Sequence, residues 1–161
     1  MNATEELRFL ILGAQREGSR TFTAQLAPLG VTPAQAEVIS CLATSGPMSL
    51  RALGKLLVCE SGSPSRLVDT VVTRGMVTRR ENPEDRRGVT LELTTEGKRL
   101  AAKIREVEEQ LYRWMAERLS PDAIEAIAAP LREVVAGTAS GEAIARRKLI
   151  PSGAKRPKER A

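Results

Sequence analysis

Small hydroxyl side chains and one arginine recur on the outer side of a short predicted helix, a combination that can bind nucleic acid. The helix is predicted to start near 61–63 and to end at Arg74, with Leu67, Val68 and Val71 facing inward. The outer side then carries Ser61, Ser63, Ser65, Arg66 and Thr70. Hydroxyls allow close approach to DNA, an arginine reaches a phosphate or guanine O6 and N7, and the first turn offers free N–H groups. A capped surface helix with one exposed arginine would show the same pattern.

A second group of charged residues, Asp85-Arg86-Arg87, lies in a turn-rich segment at 82–88. Two guanidinium groups on an exposed turn suit the negative potential of a narrow DNA minor groove. Asp85 would repel DNA as a contact, so we interpret its carboxylate as the partner that orients an arginine. A solvated charge cluster is the alternative interpretation.

The side chains that most enzyme and metal sites require are scarce in this sequence. It contains no histidine, which removes His-based zinc sites, Ser-His-Asp triads and Cys-His dyads. Its two cysteines, Cys41 and Cys59, cannot form a disulfide framework and fit a reducing compartment. With no phosphate-binding loop, no nucleophile beside a base and no paired acids, we predict neither an enzyme nor a cofactor.

The basic character of the chain lies at its carboxyl end. The net charge of the 161 residues is +5, but residues 146–161 hold seven basic residues and one acid, which leaves a net of −1 for 1–145. We predict one domain over 1–145 and a basic, disordered tail over 146–161; in the alternative prediction, 142–149 extends a helix and the disorder is confined to 150–161. The tail either attracts phosphates without sequence preference or is simply a solvated end. No segment reaches the ~20 apolar residues that span a membrane, so a cytoplasmic protein is expected.

Periodicity and capping residues predict four helices in the first half of the chain. A helix is predicted over 5–27, with a polar break around Gly18. Thr32-Pro33-Ala34-Gln35 forms a capping box for the second helix, Ser49 caps the third, and the fourth is the helix that ends at Arg74.

The period of the apolar residues changes from about 3.6 to 2 after the fourth helix, which predicts a β-hairpin with strands at 76–80 and 89–93. A long helix follows, capped by Thr94 or Thr95, with one apolar stripe made of Leu100, Ile104, Val107, Leu111 and Trp114. A last helix starts at Ser120-Pro121 and is predicted to bury Ile124, Ile127, Leu131 and Val134 or Val135. Pro130 is expected to kink or break it.

This order of elements predicts a mainly α fold with a small β-hairpin wing, a winged helix-turn-helix. In such folds the second helix of the pair enters the major groove, and the hairpin tip reaches the backbone or the minor groove. Winged helices also serve as protein-interaction modules, so the fold class alone does not settle the function.

Four segments of the sequence carry a more specific signal. They are VTPAQAEVI at 31–39, SLRALGKLL at 49–57, SPSRLVDTVVTRGMVTRRENPEDRRGVTLELTTEGKRL at 63–100, and the long helix that follows. In this combination the chain resembles the MarR family of multiple-antibiotic-resistance regulators, winged helix-turn-helix transcription factors of bacteria and archaea. The resemblance covers roughly residues 5–136.

The resemblance implies a homodimer that binds a pseudo-palindromic operator in double-stranded DNA. Helices over 5–27, 96–119 and 121–136 would form the dimerisation region, and 32–95 would form the winged helix-turn-helix. Ser65 and Arg66 fall on the family's Thr/Ser-Arg pair, and Asp85 with Arg87 falls on its Asp-x-Arg wing motif. Arg87 is then the minor-groove arginine, Asp85 its orienting partner and Arg86 a second contact.

The resemblance also implies a repressor that responds to a signal. Many relatives release DNA when a small aromatic or phenolic molecule binds, and others respond to the oxidation of a cysteine, for which Cys41 and Cys59 are the candidates here. The leading hypothesis is therefore a ligand-responsive, sequence-specific transcriptional regulator. The alternative is a winged-helix protein-interaction module without specific DNA binding.

Overall fold

The computed structural model describes residues 1–58, 63–82 and 85–148, and of residues 82 and 85–88 the backbone alone. Most of the described chain is helical. The seven helices are α1 (Ala3–Leu26), α2 (Pro33–Ser45), α3 (Leu50–Gly54), α4 (Pro64–Thr73), α5 (Thr95–Ala116), α6 (Pro121–Val135) and α7 (Ala139–Lys148). A 3₁₀ turn, Ala27–Leu29, follows α1. The mainly α class predicted from the sequence is confirmed.

The predicted capping residues begin the helices as expected. Thr32 and Gln35 form a reciprocal capping box at the start of α2, in which each side chain accepts a backbone N–H of the other residue. Ser49, Thr94 and Ser120 each accept an N–H from the first turn of α3, α5 and α6. Thr94 rather than Thr95 is therefore the cap of the long helix.

Three antiparallel strands form one small sheet in the order β1 (Met48–Ser49), β3 (Asp85–Leu93), β2 (Val77–Asn82). Val77 pairs with Leu93 and Arg79 with Leu91 in the hairpin, and Met48 pairs with Leu91 on the other edge. The hairpin matches the prediction, although both strands extend further toward its tip. β1 was not predicted, because a strand of two residues has no period to detect.

The core lies in the lobe formed by α2, α3, α4 and the sheet, and α5 closes it. Its fully buried side chains include Ile39, Leu53, Val68, Val71, Leu91 and Ile104. At the junction with α5, the Thr94 N–H donates to the Met76 carbonyl (3.1 Å), and the Thr94 hydroxyl donates to the Gly75 carbonyl (2.7 Å). A Cβ on Gly97 would overlap the Met76 carbonyl oxygen, so only glycine permits this approach.

Two expected helix interruptions are absent from the structure. α1 continues through Gly18, since a single glycine costs a helix only about 1 kcal/mol. α6 continues through Pro130, so the expected break is wrong, and the kink that was its alternative stays a prediction. Alanines 126, 128 and 129 flank this proline, and their high helix propensity sustains the helix despite the lost hydrogen bond.

The structure decides between the two predictions for residues 146–148. α7 continues to Lys148, so residues 146–148 are helical rather than part of a disordered tail. The reason is tertiary: Arg147 donates to the Leu56 carbonyl (2.7 Å) and pairs with the buried Glu37, contacts that no local pattern reveals. Residues 149–161 lie outside the described residues.

Many apolar residues of α1, of α6 and of the carboxyl-terminal end of α5 are not buried within one chain, contrary to the prediction for α6. Ile124, Ile127, Leu131 and Val134 are all exposed, and on α5 Trp114 is 52% exposed. α1 exposes Leu7 and the run from Phe9 to Leu12. The period of these residues is helical as predicted, but no other described element of the chain covers these faces.

No single helix in the described part of the chain has the length and apolar composition needed to cross a membrane. One bent pair, Ala3–Leu29 with Pro33–Ser45, meets those two criteria together, with a bend of 74°.

Substituting Gly97→Ala should destabilise the fold by about 2 kcal/mol, because the added methyl overlaps the Met76 carbonyl at the junction of wing and α5. Gly13→Ala is the matched control. Nothing lies within 4 Å of a Cβ at that position in α1, so stability should rise by up to about 1 kcal/mol. Urea unfolding followed by circular dichroism measures both changes. Equal stability of the two variants would show that the close approach is not as described.

Candidate nucleic-acid interface

Helix α4 has one buried and one exposed face, as its sequence predicts. Val68 and Val71 are fully buried, and Leu67 and Val72 pack partly against the same core. Ser65, Arg66, Asp69 and Thr70 are exposed on the other side. The helix therefore presents two hydroxyls, one guanidinium and one carboxylate to solvent from a rigid, well-packed base.

The amino-terminal end of α4 is formed by Ser63 and Pro64. Ser63 is the N-cap residue, and its side chain makes no capping hydrogen bond to any described residue. Pro64 occupies the first helical position, where its missing N–H is tolerated. The helix thus starts at the late end of the predicted range. Ser61 lies outside the described residues.

Thr70 is partly engaged within its own helix. Its hydroxyl donates to the Arg66 carbonyl at 3.0 Å, the bond that threonines often make one turn back along a helix. The oxygen lone pairs and the methyl group stay on the exposed face. The Arg66 side chain lies one turn earlier on the same face and is exposed.

Asp85, Arg86 and Arg87 lie at the start of β3 rather than in the turn where they were predicted. Asn82 pairs with Asp85 while Glu81 pairs with Val89, so a register shift leaves residues 86–88 between two paired positions. The strands extend beyond the prediction because Asn82 and Asp85, which were predicted to lie in the turn, pair with each other.

A salt bridge joins the exposed face of α4 to the wing. Arg79 on β2 pairs with Asp69 on α4, and on the same hairpin Arg80 pairs with Glu92 at 2.8 Å. These residues were not among the predicted site residues. Asp69 falls on the polar side of α4, but Arg79 shares the sheet face of Val77 and Leu91, so strand alternation did not mark it as a site residue. Only the tertiary structure shows that they meet.

The carboxyl-terminal end of α4 is held by the start of α2. Arg74 donates to the side-chain oxygen of Gln35 at 3.0 Å, and this oxygen also accepts the Thr32 N–H at 3.1 Å. Gln35 is buried, so both hydrogen bonds are shielded from water. The position of α4 is therefore set by its apolar face and by polar contacts at its end and its exposed side.

A broad, open cleft of about 1130 Å³ lies between the end of α2, β3 and α5. Its lining combines apolar residues such as Leu42 and Leu93 with the charged residues Lys98, Arg105 and Glu109. Within the described residues, no group of three or more Cys, Asp or Glu side chains is placed to hold a metal ion.

Cys41 lies on the inner side of α2 and is buried. Burial raises the pKa of its thiol to about 11, and nearby Glu37 and Glu108 act in the same direction against the opposing charge of Arg147. Burial likewise raises the pKa of Glu108, whose carboxylate accepts the Ser40 hydroxyl at 2.9 Å. Cys59 lies outside the described residues.

Comparison with known proteins finds the same family in sequence and in structure. The MarR family model matches residues 31–89, which contain α4 and most of the wing. The multiple antibiotic resistance protein MarR of Escherichia coli K12 is 31% identical over 130 residues, 78% of this chain and 88% of that protein. An organic hydroperoxide resistance transcriptional regulator of Bacillus subtilis is 26% identical over 103 residues, 64% of this chain and 70% of that protein.

Among solved structures, a mutant MarR from E. coli complexed with operator DNA is similar to this chain with a TM-score of 0.72 and 27% sequence identity. The similarity covers 84% of this chain and 99% of that chain, so it includes the outer helices as well as the winged lobe. Sequence identity at this level and coverage, together with the shared fold, establish that the chain belongs to the MarR family of transcriptional regulators, which are not enzymes.

Proposed function

We propose that this protein is a sequence-specific regulator that binds operator DNA through α4 and the wing. The observation that carries the proposal is the hydroxyl and arginine face of α4, joined to the wing by Asp69 and Arg79, in a fold similar to that of an operator-bound E. coli relative. In this proposal Ser61, Ser63, Ser65, Arg66 and Thr70 meet the major groove. Arg87 enters the minor groove, Asp85 orients it, and Arg86 makes a second contact. Operator binding places the protein with the chromosome, in the cytoplasm.

We further propose that the protein acts as a homodimer. A monomer exposing the apolar residues of α1, α5 and α6 would leave an unusually large hydrophobic surface in water. Burying this surface against a second copy would explain why the residues have the period of buried helices. Two symmetric lobes would then bind a pseudo-palindromic site, and occupation of such a site in a promoter would repress transcription.

The cleft between α2, β3 and α5 is our candidate for an effector site. It lies where the winged lobe meets α5, so a molecule bound there would change the relation between DNA-binding and dimerisation elements. Its lining places apolar residues such as Leu42 and Leu93 beside charged groups of both signs, which suits an aromatic or phenolic molecule with polar substituents. Sensing through Cys41 is disfavoured because a buried neutral thiol is a poor nucleophile.

The proposal is tested by selecting sequences from a pool of random duplex DNA with the purified protein at moderate salt. Enrichment of one inverted repeat would support a dimeric, sequence-specific regulator. Enrichment of no motif by a protein that folds normally would favour the alternative, a winged-helix module that binds another protein.

Arg87→Ala should weaken binding to the selected operator at least roughly 10-fold, because it removes a minor-groove guanidinium without disturbing the lobe. Fluorescence anisotropy with labelled operator measures the change. Arg99→Ala removes the same charge from an exposed position on α5 and should have little effect. If both substitutions weaken binding equally, the wing is not a specific contact.

Ile127→Asp should dissociate the dimer, since it would bury a carboxylate in an apolar interface between copies. Ile127 is 47% exposed in the single chain, so the monomer should still fold. Ala126→Asp places the same charge on another side of α6 and should leave the dimer intact. Sedimentation at micromolar concentration distinguishes these outcomes, and a wild-type monomer would contradict the proposed homodimer.

Cys41 should resist alkylation in the native protein. A thiol whose pKa is raised from 9.0 to about 11 has, at pH 8, a thiolate fraction about 100-fold below the ordinary one. Iodoacetamide labelling followed by peptide mass spectrometry should therefore show slow reaction of Cys41 in buffer and fast reaction in urea. Rapid labelling of the native protein would reopen Cys41 as an oxidation sensor.

A further inference from the structure

A tight corner between α6 and α7 folds the last helix back onto the winged lobe. The N–H and the hydroxyl of Thr138 both donate to the Val135 carbonyl, at 3.1 and 2.7 Å, and the Gly141 N–H donates to the Thr138 hydroxyl at 3.1 Å. Gly137 has a φ of 73°, and a Cβ on Gly141 would overlap the Val135 carbonyl. These requirements specify the direction in which α7 leaves α6.

The far end of α7 is anchored by Arg147. Its Nε donates to the Leu56 carbonyl at 2.7 Å, and a second guanidinium nitrogen pairs with Glu37 and lies 3.5 Å from the Cys41 sulfur. Glu37 is only 7% exposed, and its carboxylate also accepts the Val58 N–H at 2.8 Å. One buried carboxylate therefore ties α2, the segment 56–58 and α7 together.

The segment held by this network, residues 56–58, lies between α3 and α4 in the sequence. Residues 56–58 follow α3, and α4 begins at Pro64, whose ring lies 3.6 Å from the position of a Cβ on Gly54 of α3. Gln35, two residues before Glu37 on α2, holds the other end of α4 through Arg74. Two buried polar residues of α2 thus support α4. Gln35 binds the carboxyl-terminal end of α4, and Glu37 binds the segment before it.

We propose that Arg147 is a positioning residue for DNA recognition, and that α7 is a strap that connects α6 to the segment before α4. The inference rests on the proposed function of α4. Arg147 is not itself a DNA contact in this view, because its guanidinium is already bound to Leu56 and Glu37. Loss of the strap would loosen residues 56–58 and let α4 adopt several positions on its operator.

Arg147→Ala should weaken operator binding between about 2- and 30-fold while leaving binding to random duplex DNA and its salt dependence unchanged. A direct phosphate contact would instead weaken both kinds of binding and reduce the salt slope by about one. Arg146→Ala is the matched control. Arg146 is the neighbouring residue, carries the same charge and pairs only with Glu142 of its own helix among described residues. It should leave the ratio of operator to random binding unchanged.

A second variant perturbs the same strap while Arg147 stays unchanged. Gly141→Ala should displace α7 at its corner and reproduce the loss of operator preference. Where Arg147→Ala proves too unstable, Arg147→Lys keeps the charge but not the paired donors, and should show a smaller loss in the same direction. Melting temperatures measured alongside identify any variant whose affinity falls only because it unfolds.

Amide hydrogen exchange of the free protein tests the proposed strap without DNA. In Arg147→Ala the amides of Val58 and Leu67, which donate to Glu37 and to the Ser63 carbonyl, should exchange faster than in wild type, whereas in Arg146→Ala they should not. If the wild type binds no duplex DNA, the proposed function fails, and unchanged exchange at these amides would separately overturn the strap. If the wild type binds its operator and Arg147→Ala binds equally well, the strap alone is wrong.

Discussion

The junction at Gly75, Met76 and Thr94 is the constraint on which the rest of the structure depends. Met76 N–H bonds to Val71 at the end of α4, and its carbonyl accepts the Thr94 N–H where β3 passes into α5. Gly97 lets the first turn of α5 lie directly against that carbonyl. One tightly packed point therefore joins the end of α4, both wing strands and the start of α5, so none of these elements can move far alone.

Buried polar groups supply the specificity of position that apolar packing cannot. The apolar face of α4 would tolerate small shifts along its axis, since dispersion contacts are not directional. Among the described residues, Gln35 and Glu37 are the buried polar residues of the lobe, and both lie on α2. The Gln35 side-chain oxygen accepts Arg74 at the end of α4, and a Glu37 oxygen accepts the Val58 N–H. Leaving such groups unpaired would be costly, so α2 acts as a fixed frame for α4.

The two regions of the chain differ in how they use apolar residues. The winged lobe buries its own, with a core that closes within one chain. The outer helices have the same helical period, but apolar residues of α1, of α6 and of the carboxyl-terminal end of α5 are exposed. Such a helix face has the apolar period of a buried face, but one chain leaves it uncovered. It becomes buried only in an assembly, which is consistent with the proposed homodimer.

The amino-acid sequence by itself determined the helices, their caps and the hairpin, because these depend on local chemistry. Local structure agrees with the prediction at the capping box of Thr32 and Gln35, at the cap of Ser49, and in the strand whose apolar residues alternate over 89–93. The family could be recognised for the same reason, since its motifs are local. The polar face of α4, with Ser65 and Arg66, also followed from helical periodicity alone.

Only the tertiary structure decided which distant residues meet. The pairs Asp69–Arg79 and Glu37–Arg147 join residues 10 and 110 positions apart, and no local period predicts the partner of a charged side chain. The same contacts separate Arg147 from the basic residues around it, because in the sequence it is one more arginine and only the structure shows its carboxylate partner. The exposed apolar residues of α6 and of the end of α5 have the same explanation. A helical period predicts that a face is buried, but it does not say which element covers that face.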